Sequence, residues 1–112
     1  MTPQAMAESV PILLVDDDPT SLAVLRQTLN GHGYKMFITR SGEEALRVAL
    51  RERPLVVLLD VMMPGMDGYE TCRRLKTQPE TAAAAVIFLS ALEDTRDKVH
   101  GLEVGAVDFV TK

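Results

Sequence analysis

The chain contains little that would staple it, anchor it or draw it to a polyanion. Its single cysteine, Cys72, excludes an intrachain disulfide and fits a reducing compartment. Tryptophan is absent and aromatic residues make up only 4% of the chain, with no Lys/Arg block and no basic stripe interleaved with rings. With 12 basic against 16 acidic residues the net charge is −4, so direct nucleic-acid binding is not expected. No apolar run approaches the ~20 residues of a membrane helix, and residues 1–9 lack the charged and apolar regions of a signal peptide. The expected location is cytoplasmic, with residues 1–9 a flexible N-terminal tail and residues 10–112 one domain. A chain of 112 residues, 46% of them hydrophobic, is long enough for one core and too short for two.

What is present alternates between two periods. Apolar runs bounded by turn residues predict strands near 11–15, 34–38, 55–59, 85–89 and 107–110. Between them, residues at helical spacing mark four helices: Leu22, Leu25 and Leu29; Ala45, Leu46, Ala49 and Leu50; Tyr69, Cys72 and Leu75; Val99 and Leu102. Ser41 with Glu44 and Asp67 with Glu70 have capping-box spacing, and Pro19 suits a first helical position with Asp18 as its N-cap. Gly31, Gly33 and Gly105 fall where helices should stop. Alternating elements of this kind predict an α/β fold with a parallel sheet, (βα)₄β in this chain.

The chemistry concentrates at strand ends. Asp16, Asp17 and Asp18 follow Ile12-Leu13-Leu14-Val15, and the run Leu55 to Leu59 ends on Asp60. Ligands bind at the carboxyl ends of strands in open α/β sheets. Clustered carboxylates there repel one another unless a cation joins them, and an all-oxygen set suits Mg²⁺ together with a phosphate. A Mg²⁺-assisted phosphoryl site follows, with Mn²⁺ able to substitute. The methionines Met62, Met63 and Met66 read as loop and gap fillers, Cys72 as a small buried hydrophobe. His32 and His100 have no acid or thiol at ligand spacing and read as solvated surface residues.

Three segments extend the pattern: Val57-Leu58-Leu59-Asp60-Val61-Met62-Met63-Pro64-Gly65-Met66-Asp67-Gly68, Val86-Ile87-Phe88-Leu89-Ser90-Ala91, and Gly105-Ala106-Val107-Asp108-Phe109-Val110-Thr111-Lys112. With the acidic cluster, they resemble the receiver domain of two-component response regulators over about residues 11–112. The resemblance implies a flavodoxin-like, doubly wound five-stranded parallel sheet of the chemotaxis-regulator kind. It implies Asp60 as phosphoacceptor, Asp16 and Asp17 with Asp60 as the Mg²⁺ acids, and Met62 as a ligand through its backbone carbonyl. Ser90 and Lys112 would receive the phosphoryl oxygens, and Phe109 would change rotamer with Ser90 on activation. The implied protein is no enzyme beyond self-directed phosphotransfer and autodephosphorylation. Its partners would be a histidine kinase or phosphotransfer protein, a fused or separate output module, and a second copy where it forms a homodimer.

Two departures carry expectations. Where the family has a Pro before strand four this chain has Ala85, which predicts a less fixed lead-in to that strand. The family continues past the Lys with a Pro and a fifth helix, so the chain is expected to be (βα)₅ lacking its last helix. Apolar residues of strands one, three and five should then face water. Two rival functions stand beside the receiver. Asp16-Asp17-Asp18-Pro19-Thr20 also fits the D-x-D-x-T motif and so resembles a haloacid-dehalogenase-type phosphohydrolase, with Asp16 as nucleophile. A degenerate receiver, used only for interaction, is the other.

Overall fold

The computed structural model describes residues 10–90 and 95–111. Five strands form one wholly parallel sheet: β1 (Val10–Val15), β2 (Tyr34–Thr39), β3 (Val56–Asp60), β4 (Ala85–Ser90) and β5 (Asp108–Thr111), in the order β2-β1-β3-β4-β5. Four helices connect them: α1 (Pro19–Leu29), α2 (Gly42–Glu52), α3 (Gly68–Thr77) and α4 (Thr95–Glu103). The reversal of strand order at β1 and β3 makes their carboxyl ends the switch point where a crevice opens.

Alternate residues of each strand serve two cores. Leu13, Val15, Val57, Leu59, Val86 and Phe88 belong to a cluster closed by Ala45 and Ala49 of α2 and Cys72 and Leu75 of α3. On the opposite face, Ile12 and Leu14 pack with Leu22 of α1, with Leu25, Leu29, Met36, Val56 and Leu58 around them. The expected exposure of strand one is therefore overturned, because α1 seals Ile12 and Leu14. On that same face, toward β4 and β5, Leu58 and Ile87 are half-buried and Val110 is 44% exposed.

The helix starts follow from their caps. Asp18 accepts from the Thr20 N–H (3.0 Å) and the Ser21 hydroxyl (3.1 Å), and Pro19 follows it. Ser41 accepts from the Glu44 N–H (3.2 Å), while the Glu44 carboxylate reaches back to the Arg40 N–H (3.0 Å). Asp67 accepts from the Glu70 N–H (2.9 Å). The return half of this last box is not made, because Arg73 and Arg74 hold the Glu70 carboxylate instead. The stop of α2 falls on Arg53, which adopts the left-handed region (φ 50°); no glycine marks it.

Two further expectations are corrected. Val99 and Leu102 are 48% and 53% exposed, so they do not form the packing face of α4. That helix meets the sheet through Gly101, which is buried. Two residues were too few to fix a face. The lead-in to β4 is fixed despite the missing proline. The Lys76 ammonium donates to the carbonyls of Ala82 (3.0 Å) and Ala84, and the Thr81 hydroxyl donates to Leu75 O (2.6 Å). Ala85 N–H donates to Leu55 O (2.9 Å), a bond that proline could not make.

Candidate functional site

Parallel register brings the acids together. Val15 pairs with Leu59, so Asp16 and Asp60 stand one step beyond, at the same sheet edge. Asp60 pairs in turn with Leu89, which puts Ser90 one step beyond on the next strand. Carboxylate oxygens of Asp16, Asp17 and Asp60 all lie within 4.8 Å of one another. Asp16 and Asp60 are buried (1% and 7% exposed) and Asp17 is half-buried. A hard divalent cation fits this donor set by chemistry: three oxygen ligands, two of them desolvated and the third partly reached by solvent.

Backbone contacts hold the acids in place. Asp16 Oδ1 accepts from the Asp18 N–H (3.0 Å), and Asp16 N–H donates to Thr39 O (3.2 Å) at the end of β2. The Thr39 hydroxyl, itself buried, donates to Leu14 O (3.2 Å). The Arg40 guanidinium donates to the backbone carbonyl of Asp17 (3.0 Å), adding a cation beside the acids without occupying their carboxylates. Neither Thr39 nor Arg40 was singled out in the sequence, because their roles depend on β2 ending beside β1.

The loop after Asp60 is pinned by a glycine whose function the sequence reading did not separate from its neighbours. Gly68 N–H donates to Val61 O (2.8 Å). A Cβ on Gly68 would overlap the backbone carbonyl oxygen of Asp60 and lie 2.8 Å from Val61 Cα. The first turn of α3 therefore rests directly on the end of β3. The Met62 side chain, two residues after Asp60, is 66% exposed.

The remaining predicted residues divide. Ser90 is buried at 1%. Phe109 is half-buried and tilted against Phe88, with ring centroids 5.9 Å apart. Phe88 in turn meets Tyr69 edge-on (5.2 Å). Lys112 lies outside the described residues. Asp18 does not join the acidic group, since both its oxygens serve the cap of α1. His32 is exposed as expected, but His100, although exposed, stacks edge-on against Tyr69 at 4.4 Å. A cleft of about 280 Å³ between α3 and α4 is lined by Asp67, Tyr69, Glu70, Arg73, His100 and Val104. There the guanidinium of Arg73, then that of Arg74, hold the Glu70 carboxyl down at about 2. Burial pushes the Cys72 thiol up to about 11, and its Sγ donates weakly to Val104 O (3.4 Å).

The family model described as the response regulator receiver domain matches residues 12–112. The chain belongs to the response regulator receiver family. It is 43% identical over 104 residues to the response regulator PleD of Caulobacter vibrioides, covering 93% of this chain and 23% of PleD. It thus spans under a quarter of that relative's length. A signal receiver domain of a signal transduction histidine kinase from Syntrophus aciditrophicus is 46% identical, with TM-score 0.81 over 91% of this chain and 77% of that one. The BeF3-activated N-terminal receiver domain of RstA from Klebsiella pneumoniae is 33% identical, with TM-score 0.84 over 91% and 85%.

Receivers of this family are phosphorylation-based modules of two-component signalling, and the flavodoxin-like sheet seen here is theirs. They are phosphoryl acceptors that work with histidine kinases and output domains. The phosphohydrolase alternative falls with the family match, and the Asp18 cap removes the second Asp of its motif. Among the described residues no helix is long and apolar enough to cross a membrane.

Proposed function

We propose that this receiver accepts a phosphoryl group on Asp60 from a histidine kinase or phosphotransfer protein, and that the resulting acyl phosphate switches an output module outside this chain. The observation that carries the reading is the convergence of Asp16, Asp17 and Asp60 at one sheet edge, two of them buried. In the proposed step an Asp60 carboxylate oxygen attacks phosphorus in line. The P–N bond to the donor histidine breaks, its electron pair stays on the imidazole nitrogen, and a solvent proton can follow. Catalysis of this kind is positioning and charge neutralisation, with little covalent work for the protein.

Mg²⁺, or Mn²⁺ in its place, would be held by Asp16, Asp17, Asp60 and the Met62 carbonyl, and when bound it neutralises charge on the transferring group. The residues of the chain do the rest. Ser90 and Lys112 would donate to the phosphoryl oxygens, and Phe109 would follow Ser90 into the space it leaves. The new group carries about −1.5 to −2 charge, and reversing a two-state bias from 1:99 to 99:1 takes about 5.5 kcal/mol, a sum within reach of several charge-assisted bonds. Autodephosphorylation would be slow, because the exposed Met62 cannot orient an attacking water. Exchange with an ATP-dependent kinase would place the domain in the cytoplasm. The exposed Val107 and Val110, at 58% and 44%, would meet the output module or a second copy in a homodimer.

The test is incubation with acetyl phosphate and Mg²⁺ followed by intact mass measurement. The wild type should gain one phosphoryl group, while Asp60→Asn, or the wild type in excess chelator, should gain none. Full labelling of Asp60→Asn would overturn the assignment, and a folded wild type that takes no label would indicate the degenerate receiver.

A further inference from the structure

Helix α4 reaches the sheet at one point of unusual closeness. A Cβ on Gly101 would lie 2.9 and 3.1 Å from Cδ2 and Cε2 of Phe88 and 3.2 Å from Cδ2 of Phe109. Carbon atoms pack at about 3.5–4.0 Å, so the helix backbone itself rests on the edges of both rings. The two rings differ in freedom. Phe88 is fully buried between Tyr69 and Phe109, whereas Phe109 is half-buried on the edge strand β5. Val99 and Leu102 on the same helix are exposed, so the contact made by Gly101 has little apolar support from its own helix.

We infer that Gly101 is a positioning residue for the Phe109 switch: its missing side chain leaves room for the inward Phe109 ring, and so ties the position of α4 to the state of that ring. This rests on the reading of Asp60 and Phe109 given above. Any side chain at 101 must push against a ring that cannot move and one that can. The strain is relieved by Phe109 swinging outward or by α4 lifting from β4 and β5. In either case, phosphorylation at Asp60 no longer reaches α4 in full. The ordinary effect of Gly→Ala inside a helix is stabilising, which makes the sign of the effect informative.

The experiment uses the protein labelled with 4-fluorophenylalanine, the Phe109 resonance being assigned by its loss in Phe109→Leu. Fluorine spectra are recorded before and after beryllofluoride with Mg²⁺, and phosphoryl uptake from acetyl phosphate is measured in parallel. In the wild type the Phe109 signal should shift on addition. In Gly101→Ala it should be displaced beforehand and lose most of its response, with phosphoryl uptake unchanged. An unaltered Phe109 response in a Gly101→Ala protein that still takes label overturns the inference and leaves the Asp60 reading standing. Loss of uptake by the wild type itself strikes the Asp60 reading instead.

Melting temperatures of the single and double variants give a second check should Gly101→Ala fold poorly. Alanine at 101 should cost less when residue 109 is leucine. An equal cost in both backgrounds would show that Phe88 alone is felt, and would refute the coupling.

Discussion

Replacing Asp17 with asparagine should make the metal-free domain more stable, against the usual direction of a substitution. The three carboxylates lie within 4.8 Å of one another, where a pair of unit charges repels by ~3.5 kcal/mol at an effective dielectric of about 20. Asp17 takes part in two of the three pairs and is the only member that solvent reaches appreciably. Solvent screening therefore cuts the relief expected on removing its charge to about 1–2 kcal/mol. The backbone bond from Arg40 to Asp17 O survives the change, so the cap and loop geometry should persist. For a domain of this size the gain corresponds to a melting temperature higher by about 4–10 °C in chelator. Added Mg²⁺ should close most of that gap: a wild type at ten times its Kd gains about 1.4 kcal/mol, and the variant gains much less. Thermal unfolding followed by circular dichroism, with chelator and across a Mg²⁺ series, reads both effects. A variant that melts earlier than the wild type in chelator, or responds equally to Mg²⁺, would refute the picture of a repelling cluster relieved by metal.

Three further outcomes are expected. Gly68→Ala should lower stability by about 1–3 kcal/mol through overpacking against Asp60 and Val61, read as a lower melting temperature; an unchanged or raised value would mean the loop yields freely. The Cys72 thiol, buried and pushed up to about 11, should stay unreactive toward thiol reagents at neutral pH and react only as the protein unfolds in denaturant; rapid alkylation of the native protein would contradict its packing between α3 and Val104. Met62→Gln, at a side chain 66% exposed two residues after Asp60, should speed loss of the phosphoryl group by orienting water, and a slower loss measured by mass after quenching would count against that route.

Much of this site was legible because its geometry follows from topology. Strands that are parallel end at one edge, so acids following two adjacent apolar runs must converge, as Asp16, Asp17 and Asp60 do. Caps were equally readable, since Asp18, Ser41 and Asp67 act through neighbours two or three residues away. The parts that escaped depend on distance in the chain. The approach of Gly68 to Asp60 and that of Gly101 to Phe88 and Phe109 join separate elements, and a glycine carries no label saying which neighbour it clears for. His100 stacks on Tyr69 because α3 and α4 lie side by side, which helical spacing alone does not reveal. The lead-in to β4 was held by Lys76 and Thr81 rather than by proline, a substitution of hydrogen bonds for ring stiffness.

The central claim is that one particular carboxylate, Asp60, takes the phosphoryl group. An acyl phosphate is reduced by borohydride to the alcohol, which converts a phosphorylated aspartate into homoserine, whereas free carboxylates survive. Protein treated with acetyl phosphate and Mg²⁺, reduced, digested and sequenced by mass spectrometry should carry homoserine at position 60 and aspartate at 16 and 17. Homoserine at position 16, or at neither strand end in protein that had gained phosphoryl mass, would contradict the account.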